Sequence, residues 1–259
     1  MARWVCERET VLTRQTNNWE CGYVNCMALL NFARNNGADL QTKLECVAEI
    51  QRAIEAAWRR GFDPKSAQQF QSTLTNKAGR RAWIGPTEVA ALLRHNRLDT
   101  VYYVIKGRRR AGRAVFDVAY DYFALSPPTG KKRRREGEMG SPRAPLVVES
   151  KRAPLFLQFD GHSQLVVGVD NREGDLLLIY DPHCAGGNLR EGATIRATPC
   201  SQYDGKQFEM VGLGFAGAES VGWRELTAKE ALSQLDPDMY VSAVWDGRRW
   251  QGSDPPLRF

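Results

Sequence analysis

Three short groups of residues carry the chemistry this chain could perform. The first is Trp19-Glu20-Cys21-Gly22-Tyr23, which opens an apolar-periodic segment that reads as a helix. A cysteine at the start of a helix sits at the positive end of the helix dipole, where its thiolate is favoured. The thiolate is the form that attacks a carbonyl, so Cys21 is a candidate nucleophile. The competing reading is a small buried hydrophobe, the ordinary fate of a free cysteine. The second group, Asp160-Gly161-His162-Ser163, stands after a turn at the head of a strand. The third, Tyr180-Asp181-Pro182-His183, ends a strand-like run. Asn171-Arg172-Glu173-Gly174 reads as the turn between those two strands. In an antiparallel hairpin the start of one strand lies beside the end of the next, so Asp181 is expected close to His162. A carboxylate there would fix the imidazole tautomer and stabilise its charged form. His183 lies two residues past Asp181 and is the alternative base. His95, the third of three histidines, has no acid nearby in sequence.

The surrounding elements must bring these groups together. Residues 22–34, 40–59, 63–75 and 86–95 read as helices from their apolar spacing and from Pro64 and Pro86 at helix starts. Residues 101–105, 155–159, 164–169, 176–180 and 239–245 read as strands. Helices followed by strands in quick succession predict an α+β fold with an antiparallel sheet. Residues 126–153, rich in Pro, Gly, Lys, Arg and Glu, read as a flexible insertion.

Composition sets the class. With 259 residues, 42% apolar and 25% charged, the chain is an ordinary globular protein with room for a sizeable core. No apolar run is long enough for a membrane span or a signal peptide, so the expected location is the cytosol or nucleus. The six cysteines are then expected as thiols, and without a C-x-x-C pair no metal site is expected. The net charge of +6 is local. Lys106, Arg108, Arg109, Arg110 and Arg113 form one basic run, and Lys131 to Arg135 form another. Removing these ten leaves 26 basic residues against 30 acidic. Two solvated loops are the plain reading and a nuclear-targeting or nucleic-acid-contacting segment the alternative; no aromatic residue is interleaved with either run, which argues against a dedicated single-strand binding surface.

Four motifs in order resemble one family of cysteine peptidases. They are W-E-C-G-Y-V-N at 19–25, W-I-G-P-T-E at 83–88, G-H-S-Q-L-V-V-G-V at 161–169 and L-L-L-I-Y-D-P-H at 176–183. The family contains the ubiquitin-fold-modifier-specific proteases and the zinc-finger-containing ubiquitin peptidase. This chain is similar to the ubiquitin peptidase branch. The resemblance implies a papain-like fold and a single catalytic domain over 1–259. It implies Cys21 as nucleophile, His162 as base, Asp181 as the orienting acid and Gln15, six residues upstream, as an oxyanion donor. His183 stays the alternative base, because the modifier-specific branch uses the histidine of its D-P-H box. Trp19 and Trp83 are candidates for the walls of a channel for a glycine-ended tail, with a place in the core as the alternative for either, and Glu88 is a candidate contact with the modifier. The implied reaction is hydrolysis of the isopeptide bond after the C-terminal glycine of ubiquitin, without a cofactor. Expected partners are ubiquitin or polyubiquitin. A protease for the ubiquitin-fold modifier or another ubiquitin-like protein is the first alternative, and a non-catalytic ubiquitin-binding module the second. The chain departs from the family pattern at Glu20, usually glycine, and Val24, usually arginine. Glu20 is expected to point away from the sulfur.

Overall fold

The computed structural model describes residues 3–6, 10–74, 82–106, 109–124, 147–184, 186–188, 193–214, 243–245 and 250–252. Five helices appear among them: α1 (Cys21–Asn35), α2 (Val47–Arg59), α3 (Pro64–Gln69), α4 (Pro86–His95) and α5 (Ala111–Ala124). The central part of the sheet is built from β3 (Thr100–Ile105), β10 (Phe208–Leu213), β5 (Leu155–Phe159) and β6 (His162–Asp170), side by side in that order. Beyond β6 come β7 (Leu176–Tyr180) and β9 (Ile195–Pro199). The first half of β6 pairs with β5. Its second half pairs with β1 (Arg3–Val5), which in turn pairs in parallel with β4 (Val147–Glu149). At the other edge, β11 (Ala243–Trp245) joins β3 in parallel and β12 (Trp250–Gly252) closes the row. A separate two-stranded ribbon pairs β2 (Val11–Leu12) with β8 (Gly187–Asn188). The fold is the expected α+β arrangement, with a sheet that is antiparallel in all but two pairings.

Helix α1 is the axis of the core. Every residue from Cys21 to Ala33 is buried. Its sequence predicts one apolar face, but the helix packs on β6 and also against α2 and α4, so no face is left for water. Two other predicted helices are shorter than expected. The 40–59 segment is helical only from Val47, because the backbone N–H groups of Gln41 and Thr42 are held by Asn96 Oδ1 at 2.9 and 3.1 Å, and Cys46 is extended. The 63–75 segment is helical over Pro64–Gln69. Gln71 and Ser72 turn left-handed, and Ser72 N–H donates back to the Ala67 carbonyl, a Schellman-type stop.

The insertion expected at 126–153 also needs correction at its end. Residues 126–146 and the second basic run lie outside the described residues. Residues 147–153 belong to the fold: β4 extends the sheet, Ser150 N–H donates to Val5 O at 2.7 Å, and Arg152 is buried with its guanidinium over the Tyr122 ring. Of the strand expected at 239–245, residues 239–242 are likewise outside the described set.

Candidate active site

Cys21 is the first residue of α1 and is buried. It faces the start of β6. The turn that delivers β6 is Asp160-Gly161, both at positive φ, a two-residue hairpin loop whose twist matches its strands. That turn pairs Phe159 with His162 and sets the imidazole beside the sulfur. His162 Nε2 lies 3.1 Å from Asp181 Oδ2. The other ring nitrogen is left for Cys21, with which His162 shares a hydrogen bond.

The register of β6 and β7 decides which face Asp181 joins. From Asp170 to Gly168 the pairs follow one register, and at Val166 they have moved by one residue, with Val167 bulged out. Straight counting from the turn would put Asp181 opposite Leu165, on the wrong face. The bulge puts it opposite Gln164, on the face of His162. Gln164 Nε2 accordingly donates to Asp181 Oδ2 at 2.7 Å, and Tyr203 OH donates to Gln164 Oε1 at 3.2 Å. The His183 backbone N–H donates to Asp181 Oδ1 at 3.0 Å, and Arg196 Nη2 stands 3.4 Å from Oδ2.

The electrostatics follow from these contacts. Burial works to raise the Cys21 thiol. Hydrogen bonds from His162 and from the Ser163 hydroxyl and backbone N–H, with the imidazolium charge, outweigh it and hold the thiol below its ordinary value. Asp181 and then Cys21 push His162 up to about 9, against its burial. Burial opposes the Asp181 charge, but the bonds from His162, His183 N–H and Gln164 hold this carboxyl well below the usual range. These shifts favour a thiolate at Cys21 beside a protonated His162, with the Asp181 carboxylate behind them. Such a line can attack an acyl carbon and protonate a leaving amine.

Gln15 is buried beside this line. Its backbone N–H donates to Pro182 O at 2.9 Å, and the β2–β8 ribbon ties the same two segments together. Its side-chain Nε2 donates to Asn17 O at 2.8 Å and lies 3.4 Å from His183 Nε2. His183 is therefore inside the site, stacked on the His162 ring at 5.6 Å, but Asp181 takes its backbone N–H and not its ring. His95 stands elsewhere, edge-on to Phe62 at the end of α4, and burial with Arg60 and Arg59 nearby pushes it down to about 4.

The three residues expected to meet substrate separate. Trp83 is half exposed, and its ring lies against Gly161, where an added Cβ would come 3.6 Å from Cζ3. It stands at the mouth of the site. Trp19 is partly buried, edge-on to Tyr23, whose OH donates to Ala82 O at 2.7 Å. Glu88 does not face outward, contrary to expectation. It is buried and accepts from Gly85 N–H at 2.6 Å, capping α4 and holding the Trp83-Ile84-Gly85 corner. A cavity of about 330 Å³ at the ends of β3, β5 and β10, lined by Val104, Phe159 and Asp160 among others, does not include Cys21, His162 or Asp181.

Sequence reasoning missed Asn25, Ser163, Gln164 and Tyr203. Two of them carried a spacing signal. Asn25 is one helical turn after Cys21, and Gln164 is two strand positions after His162, so each shares its neighbour's face. Asn25 Nδ2 donates to Ser163 Oγ at 3.2 Å. Tyr203 comes from a short 3₁₀ turn, Cys200–Tyr203, with no local pattern to announce it.

The chain is similar to several known proteins. Zinc finger-containing ubiquitin peptidase 1 of Homo sapiens is 32% identical over 184 residues, and that of Bos taurus is 31% identical over 182. Each alignment covers 67% of this chain, and the chain spans 28% of the length of each relative. The crystal structure of UfSP from C. elegans superposes with a TM-score of 0.48 at 15% identity, over 80% of this chain and 33% of that one. The sequence model of peptidase family C78 matches residues 10–211, and the chain belongs to that family.

Proposed function

We propose that this chain is a deubiquitinating cysteine peptidase that hydrolyses the isopeptide bond after the C-terminal glycine of ubiquitin. The observation that carries the reading is the line Cys21–His162–Asp181, with Nε2 of His162 on the carboxylate and the same ring hydrogen-bonded to Cys21. In this reading the Cys21 thiolate attacks the carbonyl carbon of the terminal glycine. The carbonyl oxygen becomes an oxyanion, held by the Gln15 amide and the Cys21 backbone N–H. The C–N bond breaks, and the His162 imidazolium gives its proton to the departing lysine amine. Water, losing a proton to His162, then attacks the thioester and releases the free carboxylate and the thiolate. Trp83 forms one wall of the approach, and a tail ending in glycine has no side chain to collide with it. The names of the relatives support ubiquitin as the modifier.

One observation favours a second reading. His183 of the D-P-H sequence lies inside the site, stacked on His162, as a protease for the ubiquitin-fold modifier would require. A fluorogenic ubiquitin and a fluorogenic ubiquitin-fold modifier, assayed side by side, separate the two. Ubiquitin is expected to be cleaved faster. Cys21→Ala and His162→Ala are each expected to lose about 10³-fold or more in kcat/KM, and His183→Ala to lose far less. Turnover that survives in His162→Ala and disappears in His183→Ala would move the base to His183. A ubiquitin probe with a C-terminal electrophile that binds without labelling Cys21 would leave a binding module.

A further inference from the structure

Glu20 is one of two residues where this chain departs from the family pattern, and its side chain is not idle. It is buried, and both carboxylate oxygens are used. Oε2 accepts the backbone N–H groups of Thr16 and Asn17, each at 2.9 Å, and Oε1 accepts Asn17 Nδ2 at 2.8 Å. The backbone closes the same ring from the other side. Glu20 N–H donates to Asn17 O at 3.2 Å, and that carbonyl also receives the Gln15 side chain at 2.8 Å. The loop from 15 to 20 is thus gathered onto one carboxylate. Its two ends are Gln15 and the start of α1, the two places from which an oxyanion would be met.

We propose that Glu20 is a positioning residue that presents both oxyanion donors, the Gln15 amide directly through Asn17 and the Cys21 N–H through the helix start it anchors. This rests on the role proposed above for Gln15, but not on which modifier is cleaved. The need for a carboxylate is specific. Two backbone donors converge on one oxygen and an amide donor on the other, so both atoms must accept. A glutamine has one accepting oxygen. Its NH₂ would face either the backbone pair or Asn17 Nδ2, donor against donor. Removing an oxyanion donor outright costs about 10²–10³-fold in rate, and a misplaced one costs less.

Two reactions of Cys21 read the clamp separately. Alkylation by iodoacetamide needs only the thiolate. The acylation burst with 4-nitrophenyl acetate forms a tetrahedral oxyanion and needs the donors, but no modifier. Cys21→Ala supplies the blank for both. In Glu20→Gln, acylation is expected to slow about tenfold or more, with alkylation within about twofold of wild type. The double variant Glu20→Gln, Asn17→Asp restores one acceptor opposite the new amide and is expected to recover most of the acylation rate. Adding Glu20→Gln to Gln15→Ala is expected to cost less than Glu20→Gln costs in the wild type, since the Gln15 donor is already gone and only the Cys21 N–H is left to misplace. If Glu20→Gln does not fold, Asn17→Ala removes one bond at an exposed position and is expected to slow acylation about threefold with alkylation unchanged. Equal slowing of both reactions, or of neither, overturns the proposal. Wild-type cleavage of ubiquitin with a wild-type burst in Glu20→Gln would sink the clamp alone. The expected burst pattern without cleavage of any modifier would sink the substrate reading alone.

Discussion

The sulfur of Cys21 has two neighbours that favour its ionised form, and only one of them is a base. His162 supplies charge. Ser163 supplies a hydroxyl and a backbone N–H, and neither changes protonation during a turnover. Asn25 donates to Ser163 Oγ, which leaves the hydroxyl proton free to point at the sulfur. Hydrogen bonds to a charged group are stronger than those to a neutral one, so these two favour the thiolate over the thiol. Ser163→Ala is therefore expected to move the acid limb of iodoacetamide alkylation upward, with the His162-dependent alkaline behaviour unchanged. Alkylation profiles of wild type and variant that coincide would assign the whole effect to the imidazole. Gln164 acts one bond further out. It holds Asp181 Oδ2 from below while Tyr203 fixes the amide orientation, so the carboxylate is aimed before substrate arrives.

The W-I-G corner is the element-scale counterpart. Residues 83–85 lie across the first turn of α1, and Gly22 is what lets them. A Cβ there would come 2.7 Å from Ile84 Cγ1 and 2.9 Å from the Ile84 carbonyl oxygen, and a backbone atom cannot swing aside. Gly to Ala inside a helix ordinarily gains about 1 kcal/mol. Here overpacking at about 1–3 kcal/mol reverses the sign. Gly22→Ala is expected to lower the melting temperature and slow turnover together, because Trp83 moves with Ile84. A rise in melting temperature would refute the contact. The same corner shows what the sequence made legible. Helix α4 and strands β5 and β7 have the predicted bounds, since proline, β-branched runs and glycine turns are local signals. Helix α5 went unread although Ala111, Val115, Val118, Ala119 and Tyr122 recur at helical spacing and are all buried. Strand β10 is harder. It is buried along nearly its whole length, so it lacks alternation, and Gly212 interrupts it where Leu155 and Tyr122 press close. The pairing of His162 with Asp181 was legible because hairpin counting brings the two near, and Cys21 joined them through its place at a helix start and the four-motif resemblance. The face Asp181 takes was not, because a bulge at Val167 leaves no mark in a run of valines. Glu88 failed as a surface contact for a similar reason: a capping glutamate and an exposed one have the same sequence.

Across the whole molecule the charged line ties stability and activity to pH through a shared alkaline limb set by His162, and Asp181 adds an acid limb to stability. His162 is raised from 6.5 to about 9 in the fold. Its contribution to stability is full below 6.5 and is lost as pH rises through about 9. Asp181 is lowered from 3.8, so its contribution is present above 3.8 and fades as pH falls through its native value. The difference in melting temperature between wild type and His162→Ala is thus expected to be largest near pH 6 and to shrink toward zero by about pH 10. Activity needs the protonated imidazole as acid for the leaving amine, so its alkaline limb is expected near 9 as well. Asp181→Asn is the variant that links the two. It removes the largest influence raising His162, and both limbs should then slide together toward 6.5. The measurements are a pH series of thermal unfolding and a pH profile of kcat/KM on the same four proteins: wild type, Cys21→Ala for unfolding alone, His162→Ala and Asp181→Asn. An alkaline limb that stays near 9 in Asp181→Asn would mean that something other than His162 is titrating. A stability difference that grows with pH would mean that the imidazole is neutral in the fold, and the thiolate–imidazolium pair would not exist.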